Sequence, residues 1–146
     1  MILFCDTSAL VKLYLQESGS DGLLTEASAA SAVAVSRIAW AEAMAAMARR
    51  AREVPADAAV LDAARRRLQD DWPRYLVVEV TQPLVELAGE YADTFALRGY
   101  DAVQLAAART VQVASTENLR FACFDSRLRK AAKVLGMGVT PELEGS

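Results

Sequence analysis

The chain has 146 residues, is 53% hydrophobic and 24% charged, and carries a net charge of −3. That is enough apolar chain for one packed core and too much for disorder. It contains no histidine, which excludes Ser-His-Asp and Cys-His nucleophile systems within the chain. With only two cysteines it cannot build an ordinary four-ligand zinc site either. Any catalysis must run on carboxylates, hydroxyls, Lys or Arg, or a hard metal ion held by oxygen.

The charge balance gives no global case for a polyanionic partner, yet neutralising four carboxylates with cations would move the rest of the chain from −3 to +1. Basic residues cluster at Arg49, Arg50 and Arg52 and at Arg65–Arg67, as solvated helix faces or as a path for phosphates. Cys5 and Cys123 sit in apolar runs and read as small buried hydrophobes, reduced, in a cytoplasmic protein. Asp6 ends the apolar run Met1–Cys5 at once, so no signal peptide is expected. No apolar stretch approaches the ~20 residues of a membrane span. Alanine makes up about a fifth of the chain, which favours numerous, closely packed helices.

In chain order, Ile2–Cys5 predicts a buried strand, closed by Asp6-Thr7-Ser8 as a helix cap. Helical spacing covers Ser8–Leu15, Gly19–Gly22 reads as a turn, and a short helix follows over Leu23–Ala29. Ala32–Ser36 is a second strand. Helices are predicted over Arg37–Arg52 and Pro55–Trp72, then a strand over Tyr75–Val80. A helix over Pro83–Leu97 is closed by Arg98-Gly99, and another runs from Asp101 to Val113. Arg120–Phe124 is a strand, Ser126–Leu135 a helix closed by Gly136, and Met137–Thr140 a last short strand. Alternating strands and helices predict an α/β fold with a mostly parallel sheet covered on both faces. Residues 1–140 are expected to form one domain, with 141–146 as a flexible tail.

Four acids stand out. Asp6 and Asp125 each follow a predicted strand, so parallel strands would deliver both to one sheet edge, where open α/β sheets bind ligands. Either alone reads equally well as an N-cap. Glu42 is the only charge between Ile38 and Ala48, and Trp40, Met44 and Met47 form an apolar stripe opposite it. With no base three or four residues away, its carboxylate needs tertiary hydrogen bonds, a distant cation or a metal, unless it snorkels to the surface. Asp101 opens an Ala-rich helix, again as cap or ligand. Taken together, clustered carboxylates without histidine make a hard oxygen site suited to magnesium or manganese. Such an ion activates water and orients a phosphate.

These residues, with their flanks, resemble the PIN-domain nucleases, and most of all the VapC-type toxins of toxin–antitoxin pairs. The resemblance rests on Asp6–Tyr14, Glu17–Ser20, Ser36 ahead of Glu42, Leu97–Ala102 and Phe124–Leu128, and spans roughly residues 2 to 140. It implies a three-layer α/β/α fold and a Mg²⁺- or Mn²⁺-dependent endoribonuclease inhibited by a VapB-like antitoxin. It aligns Asp6, Glu42, Asp101 and Asp125 with the family's four acids, Asp6 and Asp101 as direct metal ligands, Asp125 and Glu42 completing the shell. Thr7 or Ser8 would supply a hydroxyl or amide near the phosphate. Two positions depart from the family pattern. Cys123 stands where Thr or Ser is common, and Gln104 where His is common; both alter the hydrogen bonding behind the ligands. A thiol at Cys123 also invites oxidation or soft metals.

The expected reaction is in-line attack of water on an RNA phosphodiester, leaving a 5′-phosphate and a 3′-hydroxyl. The arginine clusters at 49–52 and 65–67 are the expected RNA path. A homodimer and a wrapping antitoxin are expected to cover exposed apolar helix surface. The alternatives are a PIN-type ribonuclease of RNA processing outside any such pair and a non-catalytic RNA- or protein-binding module. A haloacid-dehalogenase-like phosphatase is disfavoured because Ser8 stands where its second Asp is required.

Overall fold

The structure, a computed structural model, describes residues 1–142. Five strands form one parallel sheet: β1 (Ile2–Cys5), β2 (Ala32–Ser36), β3 (Leu76–Val78), β4 (Leu119–Ala122) and β5 (Gly138–Thr140). Their order across the sheet is β3-β2-β1-β4-β5. The central strand β1 is bonded on both sides, with Phe4 level with Ala34 on one and Phe121 on the other.

Seven helices cover the faces: α1 (Thr7–Lys12), α2 (Ser20–Ala29), α3 (Ala39–Glu53), α4 (Ala58–Asp71), α5 (Gln82–Phe95), α6 (Gly99–Ala114) and α7 (Ser126–Val134). Side chains alternate along a strand, and β1 feeds both cores accordingly. Ile2 and Phe4 pack with residues of α5, α6 and α7, while Leu3 and Cys5 pack with α1, α3 and α4. This is the three-layer α/β/α arrangement expected from the alternation. Cys5 and Cys123 are both fully buried but belong to opposite cores, so they cannot pair.

The departures from the sequence expectation have local causes. The helix expected over 55–72 is α4 flanked by two single 3₁₀ turns, Pro55–Asp57 and Trp72–Arg74. Pro55 and Pro73 lack the N–H that would extend the helix through them. The Gly19–Gly22 turn is absorbed into α2, which Gly19 opens with φ 90. A Cβ there would lie 3.0 Å from the Phe124 ring, so both conformation and space demand glycine. The helix expected to close at Gly99 closes earlier, on Ala96, at φ 53. Burial of Leu97, whose N–H reaches the Ala92 carbonyl, offsets that conformation. Gly99 instead begins α6. The strands expected over 75–80 and 120–124 pair only over 76–78 and 119–122. Of the expected tail 141–146, residues 143–146 lie outside the described residues, and Glu142 approaches Arg120 at 3.6 Å. No helix among the described residues is long and apolar enough to cross a membrane.

The rings of Phe4 and Phe121 stack in register, with centroids 5.6 Å apart and both side chains fully buried. Phe121→Ala is expected to destabilise the protein by about 3–5 kcal/mol through lost burial and a residual cavity. Urea denaturation checks this; a loss below ~1 kcal/mol would mean the core closes over the gap.

Candidate active site

The sheet order runs outward from β1 in both directions, so its topological switch lies between β1 and β4. Asp6 follows β1 directly and Asp125 stands three residues beyond β4. Both cap helices. Asp6 Oδ1 accepts from the Ala9 amide at 2.9 Å and from the Ser8 hydroxyl at 2.8 Å. Asp125 Oδ1 accepts from the Leu128 amide at 2.9 Å. Each spends one carboxylate oxygen on its cap, and no donor among the described residues reaches the other. Ligand and N-cap are therefore compatible roles for these residues, one for each oxygen.

Glu42 lies in the first turn of α3. Its need for tertiary partners is met by neutral groups. The Thr7 hydroxyl donates to Oε1 at 2.9 Å and the Gln104 amide nitrogen at 3.2 Å. Gln104 also donates to Thr7 Oγ1 at 3.2 Å, which ties α1, α3 and α6 together. The Gln104 Oε1 is left buried without a partner among the described residues. Asp101 is the third residue of α6, not its cap, and none of the described residues donates to its carboxylate. The hydroxyls of Thr7 and Ser8, expected near a phosphate, are instead committed to Glu42 and Asp6.

Asp6 and Asp101 sense their neighbours. Asp6 is almost fully buried, and its pKa is raised to about 6, chiefly by burial. The bonds from Ala9 and Ser8 oppose this, while the charges of Asp101 and Glu42 add to it. Asp101 is also pushed up, by burial and then by Asp125, with Arg98 opposing. Cys123 lies in the field of Asp6, Asp125 and Asp101; burial first, then these charges, hold its thiol far above its ordinary range. A fully buried thiol that resists ionisation is a poor target for oxidation or soft metals. This corrects the hazard expected of Cys123.

Asp101 and Asp125, but not Asp6 or Glu42, line a cavity of about 360 Å³ together with Ser126, Arg98, Arg127 and the Ala96–Leu97 turn. None of the arginines at 49–52 or 65–67 lines it. Arg50 pairs with Glu17 at 2.8 Å, Arg65 with Asp62 at 3.8 Å, and Arg67 donates to the Tyr14 carbonyl. The arginines at the cavity are Arg98, three residues before Asp101, and Arg127, two after Asp125. Adjacency to the acids was the available signal for them; the denser basic runs elsewhere outweighed it.

The donor set is all oxygen, mutually repelling, and retains unspent carboxylate oxygens, which suits a hard divalent cation. Among the described residues no three acidic or thiol groups converge closely enough to grip an ion unaided. Water would have to complete the shell, as magnesium ordinarily requires.

A parallel α/β/α sheet with carboxylates at its switch point defines the class of fold, and comparison with known proteins narrows it. The family model described as PIN domain matches residues 3–134. The chain is 36% identical to Ribonuclease VapC45 of Mycobacterium tuberculosis (strain CDC 1551 / Oshkosh) over 140 residues, covering 96% of this chain and 95% of that one. Among solved structures, VapBC2 from Rickettsia felis bound to a DNA fragment from its promoter is similar at a TM-score of 0.64 and 12% identity, over 95% of this chain and 97% of that one. A toxin–antitoxin complex from Klebsiella pneumoniae is similar at a TM-score of 0.59 and 20% identity, over 86% and 88%. The chain belongs to the PIN-domain family.

Asp6 sets a pH signature. Its folded pKa of about 6 exceeds its ordinary 3.8. The folded state therefore binds more protons than the unfolded state between these values, and stability falls as pH rises through that window. In chelator at pH 7.5, Asp6→Asn, which keeps the cap, is expected to be more stable than the parent by about 1–3 kcal/mol. The gain should vanish below about pH 4. Thermal melts across pH check it; a variant less stable than the parent at pH 7.5 would mean that the carboxylate's bonds outweigh its burial.

Proposed function

We propose that this chain is a divalent-metal-dependent endoribonuclease and the toxin of a toxin–antitoxin pair, with residues 1–140 as its nuclease domain. What supports the proposal is the PIN-domain fold with Asp6 and Asp125 following β1 and β4 at the switch point, Asp101 on the cavity beside Asp125, and Glu42 tied to α1 through Thr7, with no histidine to offer another chemistry. The name of the M. tuberculosis relative supports RNA as substrate. The K. pneumoniae complex supports a VapB-like antitoxin as partner. A homodimer and a cytoplasmic location belong to the same reading.

Asp6, Asp101, Asp125 and Glu42 would hold Mg²⁺ or Mn²⁺. When bound, the ion supplies activation of water and neutralisation of phosphate charge. The protein's part is orientation. Ala9 and Ser8 fix the Asp6 carboxylate, the Leu128 amide fixes that of Asp125, and Thr7 with Gln104 fixes that of Glu42. Glu42, held by neutral donors, would help orient the attacking water and take up its proton. The water oxygen bonds to phosphorus as the P–O3′ bond breaks, and the 3′ oxygen takes a proton. The products are a 5′-phosphate and a 3′-hydroxyl.

Purified, antitoxin-free protein is expected to cut total RNA into discrete fragments with Mg²⁺ or Mn²⁺ and not in EDTA. Asp6→Asn and Asp101→Asn are expected to lose at least ~100-fold in rate while keeping the parent's circular dichroism. Cleavage that survives EDTA, or 2′,3′-cyclic phosphate ends, would overturn this chemistry.

A further inference from the structure

Carboxylates at the site repel the phosphates of an RNA substrate, so a nuclease built this way needs local cations to bring RNA in. The chain has 16 Lys and Arg residues, and most are spent. Arg37 pairs with Glu79, Arg50 with Glu17, Arg65 with Asp62 and Arg74 with Asp71. Lys12 faces Glu17 and the Phe124 ring. Arg67, Arg109, Arg120 and Arg129 donate to carbonyl or hydroxyl oxygens inside the fold. Among the described residues Arg98 has no ion pair or hydrogen-bond partner. Arg127 has one backbone bond, from Nη1 to the Ala96 carbonyl at 2.9 Å, which leaves Nε and Nη2 unspent. Of the cations left over, these two line the cavity that holds Asp101 and Asp125.

Their placement is also tied together. Ala96 holds a left-handed φ of 53, a conformation that costs a non-glycine residue about 1 kcal/mol or more and that persists where surrounding contacts impose it. The Arg127 bond lands on the carbonyl of that residue, and two positions later the chain presents Arg98. The bond therefore joins the start of α7 to the turn that carries the second guanidinium. Neither arginine forms an ion pair with the cavity's acids within 4.0 Å among the described residues. Both are thus open to a polyanion.

Resting on the nuclease reading above, we propose that Arg98 and Arg127 are the phosphate-binding residues of this site, gripping the RNA backbone on the cavity's α6 and α7 sides. Arg127 is braced by Ala96, and Arg98 completes the pair across the acids. The basic runs at 49–52 and 65–67 are not the substrate path.

The test measures binding and cleavage separately. A fluorescein-labelled RNA oligonucleotide of mixed sequence is titrated in EDTA, where no cleavage is expected, over a range of salt. Arg98→Gln and Arg127→Gln are each expected to weaken binding at least about ten-fold at low salt. Each should reduce the slope of log affinity against log salt by ~0.7. Arg49→Gln and Arg66→Gln, which do not line the cavity, should leave the slope unchanged. Arg127→Lys keeps the charge and should restore the slope, which separates phosphate contact from a role in folding. With Mn²⁺, Arg98→Gln should raise KM far more than it lowers kcat. Unchanged slopes in both cavity variants, equal losses in the Arg49 and Arg66 controls, or no RNA binding by the parent would overturn the assignment. A parent that cleaves RNA while both cavity variants keep slope and KM defeats the arginine pair and leaves the nuclease standing. A parent that binds RNA through Arg98 and Arg127 but never cleaves it defeats the nuclease and leaves the pair.

Discussion

The structure turns on carboxylates held at one edge of the sheet with no cation of the described chain paired to them. Asp6 is almost completely removed from water, it feels Asp101 and Glu42, and Asp101 feels Asp125. Nothing in the described chain forms an ion pair with any of them. Neutral donors carry the burden instead: backbone amides at Asp6 and Asp125, a hydroxyl and a carboxamide at Glu42. Such donors orient a carboxylate without cancelling its charge. The negative potential is kept and remains available to a cation.

The rest of the fold follows from holding that arrangement. Parallel strands bring Asp6 and Asp125 to one edge, and β1, bonded on both sides and buried on both faces, sets where that edge lies. Helices α3 and α6 come in from opposite layers and each contributes one acid near its first turn. Gln104 bridges the layers, reaching from α6 to Glu42 on α3 and Thr7 on α1. A histidine at that position would titrate near neutrality; glutamine gives a donor whose charge never changes, beside a carboxylate that needs one. Asp6 costs stability when ionised, because burial raises its pKa to about 6.

Much of this was legible in the sequence. Strands β1 and β2 lie where the apolar runs ended, because Asp6 and Ser36 interrupt those runs abruptly. The acids could be chosen because an isolated Glu42 in an apolar helix demands partners that the local sequence lacks, and because Asp6 and Asp125 stand just past strands that run parallel. What was not legible depends on contacts between distant segments. The closure of α5 on Ala96 rather than at Gly99 follows from the burial of Leu97, which no local propensity announces. The arginines at the cavity were hidden for the same reason. Arg50 and Arg67 are prominent in sequence but satisfied in space, by Glu17 and by the Tyr14 carbonyl, whereas Arg98 and Arg127 stand beside the acids at the cavity. Asp101 read equally as a cap and as a ligand; only the start of α6 at Gly99 leaves its carboxylate unspent.

The central claim is that these four carboxylates are a cation site, two of them capping helices as well. Isothermal titration of the chelator-treated protein with Mn²⁺ tests it most directly, beside Asp101→Asn, which disturbs no hydrogen bond of the described structure. The account predicts saturable binding to the parent, a rise in its melting temperature with Mn²⁺, and loss of both in the variant. A parent that takes up no Mn²⁺, or a variant that binds it as the parent does, would contradict it.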